Sequence, residues 1–162
     1  MKGRSQSGFQ QNRIWLNDGS GHFNDVSKYV ADNESLDSRS VAMADLWNRG
    51  VLDIIVANQN NSLLVLKNNV NIKNHWIGFE LEGTHANKSA IGAIVELYWD
   101  SKSQLQLISG GIGFCSQNQR RIQFGLGKSS KVDKAVIYWP DGKHQVLQNP
   151  EADQLIKISE PE

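Results

Sequence analysis

Few side chains in this sequence stand at spacings that chemistry requires. The single cysteine, Cys115, could act as a nucleophile only with a base beside it, and His75 and His85 are the histidines that residue type alone would offer. Nothing in the spacing draws them together, and a cysteine next to Phe114 reads as a small buried hydrophobe. The histidines His22, His75, His85 and His144 form no His-x-His or His-x-x-x-His pair and suggest no metal site. Gly125-Leu126-Gly127-Lys128-Ser129 contains the Gly-Lys-Ser of a phosphate loop, but the position where that loop needs its first glycine is Ile122. Gly110-Gly111-Ile112-Gly113 leads into Phe114-Cys115-Ser116-Gln117 and then a strand, whereas a dinucleotide fingerprint opens a helix. These glycines read instead as β-bulges or close strand approaches. Asn17-Asp18-Gly19, with Asp25 nearby, reads as a hairpin turn. One polar loop stays as a candidate ligand contact: Gln117, Asn118, Arg120 and Arg121, whose basic doublet suits a carboxylate or a sugar. No catalytic residue is assigned.

The elements that must position these groups are strands. Apolar and polar residues alternate over short segments, and few windows sustain a helical period. Strands are expected at 13–16, 40–45, 53–57, 62–67, 76–82, 91–99, 104–108, 121–124, 134–139, 144–148 and 155–159. Between them stand turn formers such as Asn17 to Gly21, Asn48-Arg49-Gly50, Asn58 to Asn61 and Pro140-Asp141-Gly142-Lys143. Only 26–37 fits neither period and reads as helical or irregular. Trp76, Trp99 and Trp139 fall in the inward phase of their strands and are expected in the core.

Charge and composition set the class. Lys plus Arg and Asp plus Glu each number 17, for a formal net charge of zero. The balance holds locally: residues 1–70 carry seven of each sign and 71–162 ten of each. Electrostatic capture of nucleic acid or of an anionic membrane needs clustered cations and is not expected. No apolar run approaches the roughly 18 residues that span a bilayer, so no membrane insertion is expected. The basic N-terminus has no apolar stretch behind it and does not read as a secretory signal. At 39% hydrophobic residues, the core should be small or divided. The Asn-rich run at 68–74 divides it: residues 1–11 are read as a disordered lead-in, 12–70 as one unit and 71–162 as a second.

Both units resemble known families. The phrase Asn12-Arg13-Ile14-Trp15-Leu16-Asn17-Asp18-Gly19-Ser20-Gly21-His22-Phe23-Asn24-Asp25-Val26, followed by Asp53-Ile54-Ile55-Val56-Ala57-Asn58, resembles FG-GAP or VCBS-type propeller repeats. Residues 74–158 resemble the ASPIC/UnbV domain, through Asn74-His75-Trp76-Ile77-Gly78, Ala90-Ile91-Gly92-Ala93, Gly110-Gly111-Ile112-Gly113-Phe114, Gln123-Phe124-Gly125-Leu126-Gly127 and Trp139-Pro140-Asp141-Gly142. The expected fold is therefore all-β, with partial β-propeller blades followed by a small β-sandwich or barrel-like domain. Fewer than two blades are accounted for, where a closed propeller needs about four, so the chain is expected to be the C-terminal end of a longer protein. Its exposed strand edges are then expected to self-associate.

The repeat resemblance implies one piece of metal chemistry. In that family an aspartate-rich loop, D-x-D-x-D-G-x-x-D, holds Ca²⁺. Here Asp45, Gly50 and Asp53 keep the first, sixth and ninth places, while Trp47 and Arg49 stand at the third and fifth. Two carboxylates beside a cation make a poor site for a dication, so no cofactor is expected. Arg49 is expected to bridge Asp45 and Asp53 in place of the ion, with Trp47 packed on a neighbouring strand. The resemblance implies a non-catalytic binding or structural module of an extracellular, periplasmic or cell-surface protein, engaged in recognition or adhesion, with a protein or glycan ligand. The alternative readings are an accessory domain of a larger enzyme and a truncated fragment with no role of its own.

Overall fold

The computed structural model describes residues 8, 10–29, 35–70 and 73–162. Most of the expected disordered lead-in, residues 1–7 and 9, lies outside them, as do 30–34 of the irregular stretch. The described chain is all-β, with one turn of 3-10 helix at Ser27–Tyr29.

The first part holds two small sheets. Strands β1 (Trp15–Asn17) and β2 (Phe23–Asp25) form the hairpin that Asn-Asp-Gly announces. Its turn is tightened by Asn17 Oδ1 and Asp18 Oδ1, which accept from the amides of Gly19 and Ser20 at 2.8 Å each. Strands β3 (Ser38–Ala44), β4 (Asp53–Asn58) and β5 (Leu64–Leu66) form an antiparallel sheet in that order. The register pairs Val41 with Val56 and Met43 with Ile54, which gives this sheet one continuous apolar face.

The second part is a sandwich. One sheet has the order β12 (Leu155–Ser159), β6 (His75–Glu82) and β9 (Ile122–Gly127). The other has the order β11 (His144–Gln148), β10 (Lys134–Tyr138), β7 (Ile94–Trp99) and β8 (Lys102–Leu107). All neighbours are antiparallel except β12 and β6. Alternation in β6, β7 and β9 turns Ile77, Phe79, Val95, Leu97, Ile122 and Phe124 into one core, where Phe79 and Phe124 meet edge to face at 6.1 Å. Trp99 and Trp139 are buried in it as the strand phase predicts. Trp76 is not: it is half-buried, and its indole lies flat on Gly50 of the first part. The register of β6 on β9 shifts between His75 and Trp76, opposite Gly125 and Gly127, so these glycines do serve a bulge.

The chain end is clasped into the sandwich by a buried carboxylate. Glu160 Oε2 accepts from the amides of Thr84, His85 and Ala86 at 2.7, 2.9 and 3.0 Å. The Ala86 amide is the largest of the influences that hold this carboxyl below its usual range; the other two amides and the charge of His85 work the same way and burial works against them.

Candidate functional site

The acidic loop between β3 and β4 lies at the junction of the two parts. Asp45 follows β3 and Asp53 opens β4, and both are buried, at 4% and 0% exposure. A carboxylate taken out of water has to be met by donors, and the loop is bent to provide them. Asn48 and Gly50 adopt φ of +53° and +77°, a left-handed turn that aims successive amides inward. Asp45 Oδ1 accepts from the amide of Arg49 at 2.8 Å, and Oδ2 from the amide of Gly50 at 2.6 Å and from Gln123 Nε2 at 3.0 Å. Asp53 Oδ1 accepts from Arg49 Nη2 at 2.7 Å and from the amide of Asn68 at 2.8 Å, and Oδ2 from the amide of Leu46 at 3.3 Å.

Arg49 thus reaches one aspartate rather than two: its second nitrogen donates to the carbonyl of Asn68 at 2.8 Å, and Asp45 is held by backbone amides and Gln123. Trp47 stands between two cations. It is half-exposed, with the guanidinium of Arg49 5.2 Å and the ammonium of Lys67, just past the end of β5, 4.9 Å from its ring centre. Burial alone would raise the carboxyl of Asp53, but the amides of Asn68 and Leu46 and the charge of Arg49 outweigh it and hold the group below its ordinary value. All four carboxylate oxygens already accept hydrogen bonds, and a calcium ion at Asp53 would stand against the guanidinium of Arg49. Among the described residues no three His, Cys, Asp or Glu converge as metal ligands.

The polar loop before β9 runs along this same junction. Asn118 Oδ1 accepts from the amide of Met43 at 2.9 Å, the amide of Gln119 donates to the Met43 carbonyl at 3.0 Å, and Gln119 Oε1 accepts from the amide of Asp45 at 2.8 Å. The loop therefore satisfies the outer edge of β3 much as another strand would. Arg120 donates to Ser89 Oγ and Arg121 to Asn48 Oδ1, and Arg121 Nε also lies 3.7 Å from Glu80. Gln117 is half-buried in the neighbouring wall beside Met43 and Leu52. Between the two parts these contacts leave an open groove of about 780 Å³, whose charged lining is Asp45, Glu80, Glu82, Lys88, Arg120, Arg121 and Lys157.

The residues of the nucleophile reading are not assembled. Cys115 is exposed on a loop at φ +50°, not buried as its neighbour Phe114 suggested, and Phe114 is itself 73% exposed. His75 Nδ1 lies 2.6 Å from Asp153 Oδ2, a bond that, more than any other influence, holds the Asp153 carboxyl below its usual range. Sequence reading missed this pair, since its members stand 78 residues apart and only the parallel pairing of β12 on β6 brings them together. Glu80 and Ser89 escaped notice for the same reason, and Asn48 was visible only as a turn former.

With this geometry in view, comparison with known proteins gives a consistent answer. Residues 83–162 match the model of the ASPIC and UnbV family, and residues 5–56 match the FG-GAP-like repeat. The chain carries an ASPIC and UnbV domain behind an FG-GAP-like repeat. Cartilage acidic protein 1 of Xenopus tropicalis is 33% identical over 106 residues, covering 63% of this chain and 16% of the relative. Its Homo sapiens counterpart is 30% identical over 122 residues, covering 73% and 18%, and that of Mus musculus is 28% identical over 126 residues, covering 74% and 19%. The chain thus spans less than a fifth of the curated relatives it matches. The two matched ranges meet at the groove: the FG-GAP-like repeat gives Asp45 and Asn48, and the ASPIC and UnbV domain gives Lys88, Arg120, Arg121 and Lys157. No helix among the described residues is long and apolar enough to cross a membrane.

Proposed function

We propose that the chain is a non-catalytic recognition module of an extracellular protein, and that it engages a protein or glycan ligand in the groove between the repeat and the ASPIC and UnbV domain. The observation that carries this reading is the groove itself. Four cationic side chains, Lys88, Arg120, Arg121 and Lys157, stand beside the carboxylates of Glu80 and Glu82 in an open cleft of about 780 Å³. Such a lining can pair with carboxylate, sulfate or hydroxyl groups of a ligand and offers no nucleophile with an activating base. Arg120 and Arg121 are held in place by Ser89 and Asn48, whereas Lys88 and Lys157, 86% and 80% exposed, make long surface ion pairs with Glu82 at 3.5 Å and Glu80 at 3.9 Å that a ligand anion can replace. The extracellular setting is supported by the cartilage acidic proteins among the relatives.

The test is a screen of the intact chain against arrays of glycans and of extracellular-matrix proteins, followed by titration of any hit. A Lys88→Ala, Lys157→Ala double variant should bind about tenfold more weakly, the loss of one or two charge-assisted hydrogen bonds, with its melting temperature unchanged. A hit that ignores both lysines would move the ligand elsewhere, and an array without hits would remove the reading.

A further inference from the structure

The outer face of the four-stranded sheet, remote in register from the core-facing side chains, carries a second arrangement that the groove does not use. β7 and β10 are its two interior strands, and alternation turns Ile94, Glu96 and Tyr98 of β7 and Lys134, Val136 and Tyr138 of β10 outward. Glu96 stands opposite Val136 on one side and Leu105 on the other. Tyr138 Oη donates to Glu96 Oε2 at 3.2 Å, and Tyr98 stands two residues along β7 from Glu96 on the same face. Both phenols are raised above their usual range, Tyr98 chiefly by the neighbouring Glu96 and Tyr138 chiefly by burial and then by its bond to Glu96.

Three facts about this face point to one kind of occupant. First, Glu96 lacks a counter-charge: among the described residues no Lys, Arg or His nitrogen lies within 4 Å of its carboxylate, although the chain as a whole is neutral. Second, the tyrosine rings here already attract a cation, since the ammonium of Lys134 lies 4.4 Å from the centre of the Tyr98 ring. Third, the surround is apolar and open, with Leu105 56%, Leu107 55% and Val146 44% exposed on the strands that flank β7 and β10. An acceptor without a cation, lodged between two aromatic rings and ringed by aliphatic side chains, is complementary to an arginine or lysine whose neighbours are apolar. Tyrosine-rich, partly apolar patches of this kind are what protein interfaces are made of.

We propose that the outer face of this sheet docks a partner protein by seating one of its basic side chains, an arginine above all, on Glu96 between Tyr98 and Tyr138. The planar fork of a guanidinium can take both carboxylate oxygens while stacking on a ring. The cation that this face carries itself, Lys134, lies on the Tyr98 ring and not on Glu96, which leaves the carboxylate to a cation from outside the face. The proposal is independent of the groove, which lies on other strands.

The experiment titrates the full chain with N-acetyl-arginine amide, and in parallel with its neutral isostere N-acetyl-citrulline amide, following tyrosine ring and backbone amide resonances. Arginine should move Tyr98, Tyr138 and amides of β7 and β10 in a saturable way, and citrulline should bind about tenfold more weakly for want of the charge. Glu96→Gln, which can still accept from Tyr138, should lower arginine affinity about tenfold and make the two probes equal. Leu105→Lys, which places an ammonium across from Glu96, should block the probe and serves if the glutamine variant does not fold. Equal binding of the two probes to the native chain, shifts confined to the groove loops, or indifference to both substitutions would overturn the proposal. Self-association of the native chain that Glu96→Gln abolishes would overturn it too, by making a second copy the occupant.

Discussion

At the scale of single residues, the acidic loop shows how a buried carboxylate is met by a cation of the chain. Asp53 is fully buried, and the guanidinium of Arg49 is the positive charge bonded to it. Removing one partner of such a pair leaves a buried charge uncompensated, so Arg49→Ala should cost about 3 kcal/mol and lower the melting temperature by roughly 6–12 °C in a thermal scan. Millimolar calcium should leave the native melting temperature unchanged to within about 1 °C, because the guanidinium of Arg49 already sets a positive charge 2.7 Å from Asp53; a rise of several degrees would sink this account of the loop. The clasp at Glu160 makes a prediction about pH. Its carboxyl is depressed below the ordinary 4.5, so it adds stability above that value and loses it as pH falls through the lower folded value. Glu160→Gln should therefore melt several degrees below the native chain at neutral pH, and scans at descending pH should show the two curves converging in acid.

At the scale of elements, the loop before β9 acts as a strand without being one. Its side chains and one amide complete the edge of β3 at Met43 and Asp45. The close approach of Gly50 to Trp76 fixes the same junction from the other end: a Cβ on Gly50 would lie 2.3 Å from the indole, and its φ is +77°. Gly50→Ala adds a steric conflict to backbone strain and should cost about 3 kcal/mol. If the conflict sits at the junction, the variant's Trp fluorescence should shift towards that of an exposed indole while the far-ultraviolet spectrum of the strands is kept. An unchanged spectrum and stability would mean that the two parts do not meet there. The strands themselves were legible in the sequence. Alternation placed β4, β6, β7, β10, β11 and β12 within a few residues, because their inner faces are apolar and their ends carry Gly, Asn or Pro. What could not be read were pairings over long stretches of chain. Asn118 was visible as a polar loop residue, but its bond to Met43, 75 residues away, depends on how two sheets pack. Cys115 was misjudged because an apolar neighbour says little in a loop, where Phe114 itself faces water.

At the scale of the whole molecule, burial is uneven. The sandwich has a continuous core of 17 buried side chains, whereas among the described residues of the first part the buried side chains are Val56, Asp45 and Asp53. The apolar face of the β3–β4–β5 sheet opens on a groove of about 500 Å³ lined by Trp15, Val41, Met43, Ile54, Leu66 and Ile112. Open apolar surface of this kind drives association, and the sheet has an edge to guide it. The edge of β3 is occupied by Asn118 and Gln119, which leaves β5 with a partner on one side alone. At three residues, β5 can offer only a few hydrogen bonds to another chain, so the face rather than the edge should dominate. We expect the chain to self-associate as concentration rises in sedimentation velocity. Val41→Lys, which sets a charge on the face, should restore a single monomeric boundary, while Val65→Lys on β5 should weaken association less. The opposite order would make strand pairing at β5 the principal contact, and a native chain that sediments as a monomer at high concentration would show that this face is stable in water without a cover.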